Sequence, residues 1–168
     1  MGNDVTYIVQ ANAEIKVDGV SIGYTTEPTS IRIERDYSHA SVEQVKGDIK
    51  SFMSGETMTI DTTLAQKSLT NLRIVWDQEG STLIGGTLLS LGTESGGNEH
   101  TMIITALAPT GAGLTYENWT IFKAVSMDAG QFSMSRSDIS TVPVSFKCLK
   151  DVLNNNNFGY CLLSNSKS

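Results

Sequence analysis

Gly55-Glu56-Thr57-Met58-Thr59-Ile60-Asp61-Thr62-Thr63, residues 55–63, alternates polar and apolar side chains with a period of two. Met58 and Ile60 fall on one face and Thr57, Thr59 and Asp61 on the other, as in a half-buried strand. Within a residue or two the period lengthens to 3.6. Across 64–78, Leu69, Leu72 and Trp76 stand at i, i+3 and i+7 and predict one apolar helical stripe. Two helix starts compete: Thr63 with Gln66 three residues on has capping-box form, and Ser68 is a rival N-cap. Gly80 offers a stop. No other stretch reads as clearly helical, so the rest is expected to be sheet with one helix packed on it.

Towards the N-terminus, Val5, Tyr7 and Val9 suggest a first strand, and Asp18-Gly19 separates two alternating segments. That dipeptide is a strong hairpin signal, because both residues tolerate positive φ. Ile31 and Ile33 open another strand, with Arg32, Glu34 and Asp36 facing the other way. Residues 37–47 are polar, with Val42 and Val45 as their apolar anchors. They are too long for a plain turn, so a mobile loop and an arm lying on a neighbour both fit. Beyond the helix, 82–91 reads as a strand interrupted at Gly85-Gly86, and 102–107 as a strand apolar on both faces. Trp119, Ile121, Val125 and Met127 form the next stripe. Asp128-Ala129-Gly130 then predicts a tight hairpin into Phe132, Met134 and Arg136. Val142, Val144, Phe146 and Cys148 alternate in the last convincing strand, and from about residue 152 a flexible or docked tail is expected.

These elements predict a mainly β fold: a β-sandwich or barrel of about eight to ten short antiparallel strands with one flanking α-helix at about 64–78. The predicted core comprises Met58, Ile60, Leu69, Leu72, Trp76, Val144 and Phe146. The 168 residues fit a single domain, 1–168, able to bury roughly 70% of its unfolded surface without disulfides or metal. A net charge of −6 and a pI near 4.8 argue against nucleic acid or an anionic membrane as a bound partner. No apolar run approaches the roughly 18 residues of a membrane span, and the first residues do not resemble a secretion signal.

The residue types and spacings offer no catalytic constellation. Cys148 and Cys161 have no metal-ligand spacing, and Cys148 shares the apolar face of its strand, as a buried reduced thiol would. His39 and His100 read as surface histidines without the neighbours a catalytic triad or zinc site requires. Glu34 and Asp36, two apart on one strand face, read as solubilising. The Gly-rich run at 92–97 lacks the Lys-Ser/Thr ending of a phosphate-binding loop and precedes a strand. No catalytic, cofactor-binding or metal site is expected, and no enzyme.

Three stretches carry a resemblance: 13–20 (Ala-Glu-Ile-Lys-Val-Asp-Gly-Val) with the strand at 30–36 after it, the helix opening at 68–72 (Ser-Leu-Thr-Asn-Leu), and 142–151 (Val-Pro-Val-Ser-Phe-Lys-Cys-Leu-Lys-Asp). In order and spacing, over nearly the whole chain, they resemble the phage tail tube proteins, a family that includes the tubes of contractile injection systems. The resemblance implies a β-sandwich with a flanking helix, assembling as hexameric rings that stack into a tube. It further implies that DNA passes through the lumen without specific binding. The implied lumen-facing residues are Glu34, Asp36, Glu56, Thr59 and Asp61. The implied inter-ring loop comprises Tyr37, Ser38, His39, Val42, Glu43, Val45 and Lys46. Implied partners are further copies and other tail proteins such as terminator, baseplate and tape measure; a sheath stays open, and no membrane is implied. The implied location is the virion tail, assembled in the host cytoplasm. Alternatives are a tail terminator, a baseplate or capsid-decoration component, or a carbohydrate-binding β-sandwich module using Tyr116 and Trp119.

Overall fold

The computed structural model describes residues 13–25, 27–41, 48–65, 68–78, 88–89, 91–92, 97–109, 111–129 and 141–168. The alternating stretch at 55–63 lies inside β4 (Asp48–Leu64), a strand of 17 residues. Around it stand β1 (Glu14–Val17), β2 (Val20–Tyr24), β3 (Ser30–Ser41), β5 (His100–Leu107), β6 (Tyr116–Ala129), β7 (Val142–Cys148) and β8 (Gly159–Ser164), with one helix, α1 (Leu69–Val75). The fold is mainly β, as expected. All eight strands pair antiparallel in one sheet of order β2-β1-β5-β6-β7-β4-β3, with β8 added to β6. Among the described residues the sheet does not close into a barrel. It curls far enough that Thr25 at the end of β2 bridges Leu64 at the end of β4, although four strands separate these two in the ladder.

The inner face of the curl is the core. Ile15, Val17, Ile22, Met58, Ile60, Leu64, Met102, Ile104, Ile121, Val142, Val144 and Phe146 are all buried there. Strict alternation in β7, buried at every second residue, is the direct expression of its sequence pattern. The Asp18-Gly19 hairpin forms as read, with φ of 49° and 79°, both in the left-handed region that a two-residue turn of this hand demands.

The helix is shorter than predicted. Residues 62–64 pair with Val142, Pro143 and Val144, so the ladder claims them and the Thr63 start is lost. Ser68 is the cap: its side chain accepts from the Asn71 amide at 3.1 Å. The stop comes before Gly80. Asp77 takes a φ of 51°, Asp77 N–H donates to the Ile74 carbonyl and Gln78 N–H to the Arg73 carbonyl, a Schellman closure without glycine. Leu72, Ile74 and Val75 are buried, with Leu69 and Trp76 packed against the same cluster. Buried Asn71 donates Nδ2 to the Ile22 carbonyl at 2.8 Å, and Ser126 Oγ donates to the Val75 carbonyl. These bonds pin α1 across the inner face between β2 and β6.

One further expectation changes. Asp128 and Ala129 do not turn; they extend β6 and pair with Ser145 and Val144. The tail from about 152 is docked, and on its own chain. β8 pairs residue by residue with 116–121 of β6, along the same edge that β7 occupies at 124–129. β7 and β8 are therefore one interrupted strand, with 149–158 looped out between them around a 3-10 turn at Val152–Asn154. Asp151 holds that turn by accepting from Leu153 N and Asn154 Nδ2. The predicted strands at 5–9 and most of 82–91, and the hairpin at 130–136, lie outside the described residues. No described helix is long and apolar enough to cross a membrane.

Candidate assembly surface

Register decides which side chains share a face. Arg32 pairs with Thr59, Glu34 with Thr57 and Asp36 with Gly55, while Ile31, Ile33 and Arg35 pair with Ile60, Met58 and Glu56. Glu34, Asp36, Thr59 and Asp61 thus share the outer face. Glu56 does not: position 56 has the parity of Met58 and Ile60, so this proposed lumen residue points to the opposite side. There its carboxylate takes Arg35 Nε at 2.8 Å and Lys150 Nζ at 3.1 Å. The Arg35 hydrogen bond, then that from Lys150, holds the Glu56 carboxyl below the usual glutamate range.

The outer face is polar and close to charge-balanced. Asp61 accepts from Ser145 Oγ at 2.6 Å, and Thr59 stands between Arg32 and Lys147. Glu34 meets Arg32 at 3.4 Å, with both side chains largely exposed, so the pair contributes little to stability.

The predicted loop at 37–47 starts later than expected. Residues 37–41 continue β3, paired with 48–53 of β4, because the main-chain ladder runs on past the body. Tyr37, Ser38 and His39 are therefore strand residues and exposed ones; Val42, Glu43, Val45 and Lys46 lie outside the described residues. This two-stranded arm begins where β7 ends, since among the described residues β4 pairs only with β3 before Met58. Ile33, Tyr37 and Met53 carry the core-facing parity outward and are 49%, 52% and 54% exposed. Phe52, on the other face, lies under the Lys50 ammonium at 4.8 Å. At the foot of the arm, Ile33, Glu56, Met58, Trp119, Phe158 and Tyr160 line a cleft of about 180 Å³, below the usual range of small-molecule sites.

One histidine departs from the surface reading. His100 is 1% exposed, and its Nδ1 contacts Asp18 Oδ2 at 2.7 Å across 82 residues of sequence. This is two-thirds of a triad arrangement, but the buried Nε2 meets no hydroxyl or thiol among the described residues. Asp18 also accepts from the Thr101 amide at 2.8 Å, so turn and histidine are tied as one structural unit. Burial pushes the Cys148 thiol up to about 12, and burial with the neighbouring Glu117 pushes Cys161 up to about 11, so neither is an activated nucleophile. Among the described residues no three His, Cys, Asp or Glu side chains converge as metal ligands. Comparison of the chain with protein-family models and with curated proteins finds no match.

Proposed function

We propose that this chain is a structural subunit acting by assembly with its own copies, and specifically a phage tail tube subunit whose hexameric rings stack into a hollow conduit for DNA. The observation that carries the reading is the arm of β3 and β4. It is a paired ladder in which Tyr37, Phe52 and Met53 stand about half exposed outside the body, with Ile33 half exposed at its foot. Apolar surface of this kind gains roughly 25 cal/mol per Å² when a neighbour covers it. Among the described residues, β2, β3 and β8 also present edges with no strand partner, the feature that closed assemblies use and free monomers have to protect.

The narrower reading rests on the resemblance of 13–20, 68–72 and 142–151 to tail tube proteins. The outer face of Glu34, Asp36, Thr59 and Asp61 supports it, because a polar, weakly charged wall lets a polyanion slide without holding it. Terminator, baseplate and tape-measure proteins are then its partners, and the virion tail its place.

Electron micrographs of the concentrated protein test this. Rings or tubes with a central hole are expected, whereas a strict monomer by sedimentation at high concentration sinks the reading. A terminator forms one ring and stops, so tube growth separates that alternative. No feature favours the carbohydrate-binding reading. Trp119 packs against the core and donates Nε1 to Glu117, and the Lys167 ammonium lies over the Tyr116 ring.

A further inference from the structure

The outer face of β1, β5 and β6 holds two polar side chains sealed from water, Asn118 at 1% and Thr105 at 5% exposure. With Glu14 they form one cross-strand row. What seals them is the end of the chain. Asn118 Nδ2 donates to the Ser166 carbonyl at 3.0 Å, and the Ser168 amide donates to Asn118 Oδ1 at 3.2 Å. In an extended chain the carbonyl of one residue and the amide two residues on point to the same side, so one carboxamide stands in for a neighbouring strand. Thr105 Oγ1 donates to the same Oδ1 at 2.9 Å and fixes which way the amide points. Around this pair, Glu14 accepts Lys167 Nζ at 3.1 Å, the Tyr116 ring centre lies 5.8 Å from that ammonium, and Lys16 Nζ donates to the main-chain oxygen of Ser168 at 2.5 Å.

The groove therefore reads main-chain groups plus one cation, which meets the opposite charge of Glu14. Its occupant is weakly committed to its own body. No residue of 159–168 belongs to the buried core, and Tyr160, Leu162 and Leu163 of β8 are exposed. Releasing the segment removes no side chain from the core, and the same bonds form whichever chain supplies it. We propose that this groove is an exchangeable main-chain binding site that takes residues 159–168 of a second copy in place of the chain's own. The tether favours the chain's own segment in a free protomer. Where copies are held side by side, the local concentration of a neighbour's segment reaches the millimolar range and exchange competes. The assembly reading supplies such crowding, but the groove is testable without it.

The probe is a fluorescent peptide of residues 159–168, titrated onto the full-length protein and followed by polarisation. Lys167→Glu in the full-length chain weakens its own tail and leaves the groove untouched, so it should take up the unaltered peptide about tenfold more tightly than the original chain does. Glu14→Lys should reverse the preference, binding a Lys167→Glu peptide about tenfold better than the unaltered one. Absence of saturable binding in every pairing overturns the proposal and leaves the tail a fixed strap. Equal binding of both peptides to both charge variants also overturns it. Rings or tubes in micrographs report on assembly separately, so loss of peptide binding with tubes intact strikes this groove alone.

Discussion

The two halves of the β3–β4 ladder share strands, register and hydrogen bonding but differ in what covers them. In the body, Ile31 pairs with Ile60 and Ile33 with Met58, and Met58 and Ile60 are buried. In the arm, Tyr37 pairs with Met53 on the same parity, and both are half exposed. The difference comes from a third strand. β7 lies beside β4 from Met58 to Leu64 and leaves it after Cys148, where the chain loops out before returning as β8 against β6. Main-chain pairing thus decides that a strand forms, while burial depends on whether the sheet continues beside it. Stability is expected to reside in one half and contact with other molecules in the other.

Several variants test that contrast. The largest effect belongs to the body: Phe146→Ala, at a fully buried position opposite Ile60, should cost about 3–5 kcal/mol by chemical denaturation. That is a large share of the roughly 5–15 kcal/mol typical of a domain. Asn71→Ala should cost about 1–3 kcal/mol, because it strands the buried Ile22 carbonyl between helix and sheet. Ser68→Ala removes the helix cap and should cost about 1 kcal/mol in the same assay.

Glu56, at the boundary of the two halves, gives a pH signature. Its folded pKa is depressed by Arg35 and Lys150, so its contribution is present above the ordinary glutamate pKa and is lost as pH falls through the folded value. Denaturation midpoints of Glu56→Gln should therefore fall less steeply on acidification than those of the original chain. An unchanged slope would place the acid sensitivity elsewhere. The smallest effect on the fold belongs to the arm. Tyr37→Ser with Met53→Ser should shift stability by no more than about 0.5 kcal/mol, as exposed positions do. The same double variant should abolish rings in micrographs. A large loss of stability, or normal rings, would each contradict the division between the halves.

Much of this was legible in the sequence because period reports directly on side-chain direction. The alternation at 55–63 and 142–148, the Asp18-Gly19 turn and the Leu72 stripe needed no tertiary information. Other features were not legible for identifiable reasons. The Thr63 and Ser68 helix starts are locally equivalent, and only pairing of 62–64 with β7 chose between them. His100 carries no mark of burial because its partner Asp18 is 82 residues away. Glu56 was placed by its charge, whereas its parity with Met58 already assigned it to the other face. The tail at 159–168 lacks a strong apolar alternation, and its strand is held by the β6 edge and by Asn118 rather than by its own pattern.

Period and turn chemistry are local properties of the chain, so the class of fold, the core-facing residues of the described strands and the helix at 69–75 could be read from the sequence. Only long-range contacts decided that the described strands form one curled sheet, that β7 and β8 share one edge of β6, and that Tyr37 and Met53 of the β3–β4 arm stand half exposed. Those outcomes depend on which distant strands compete for the same edge. That competition is settled by long-range hydrogen bonding and burial, which no local pattern encodes.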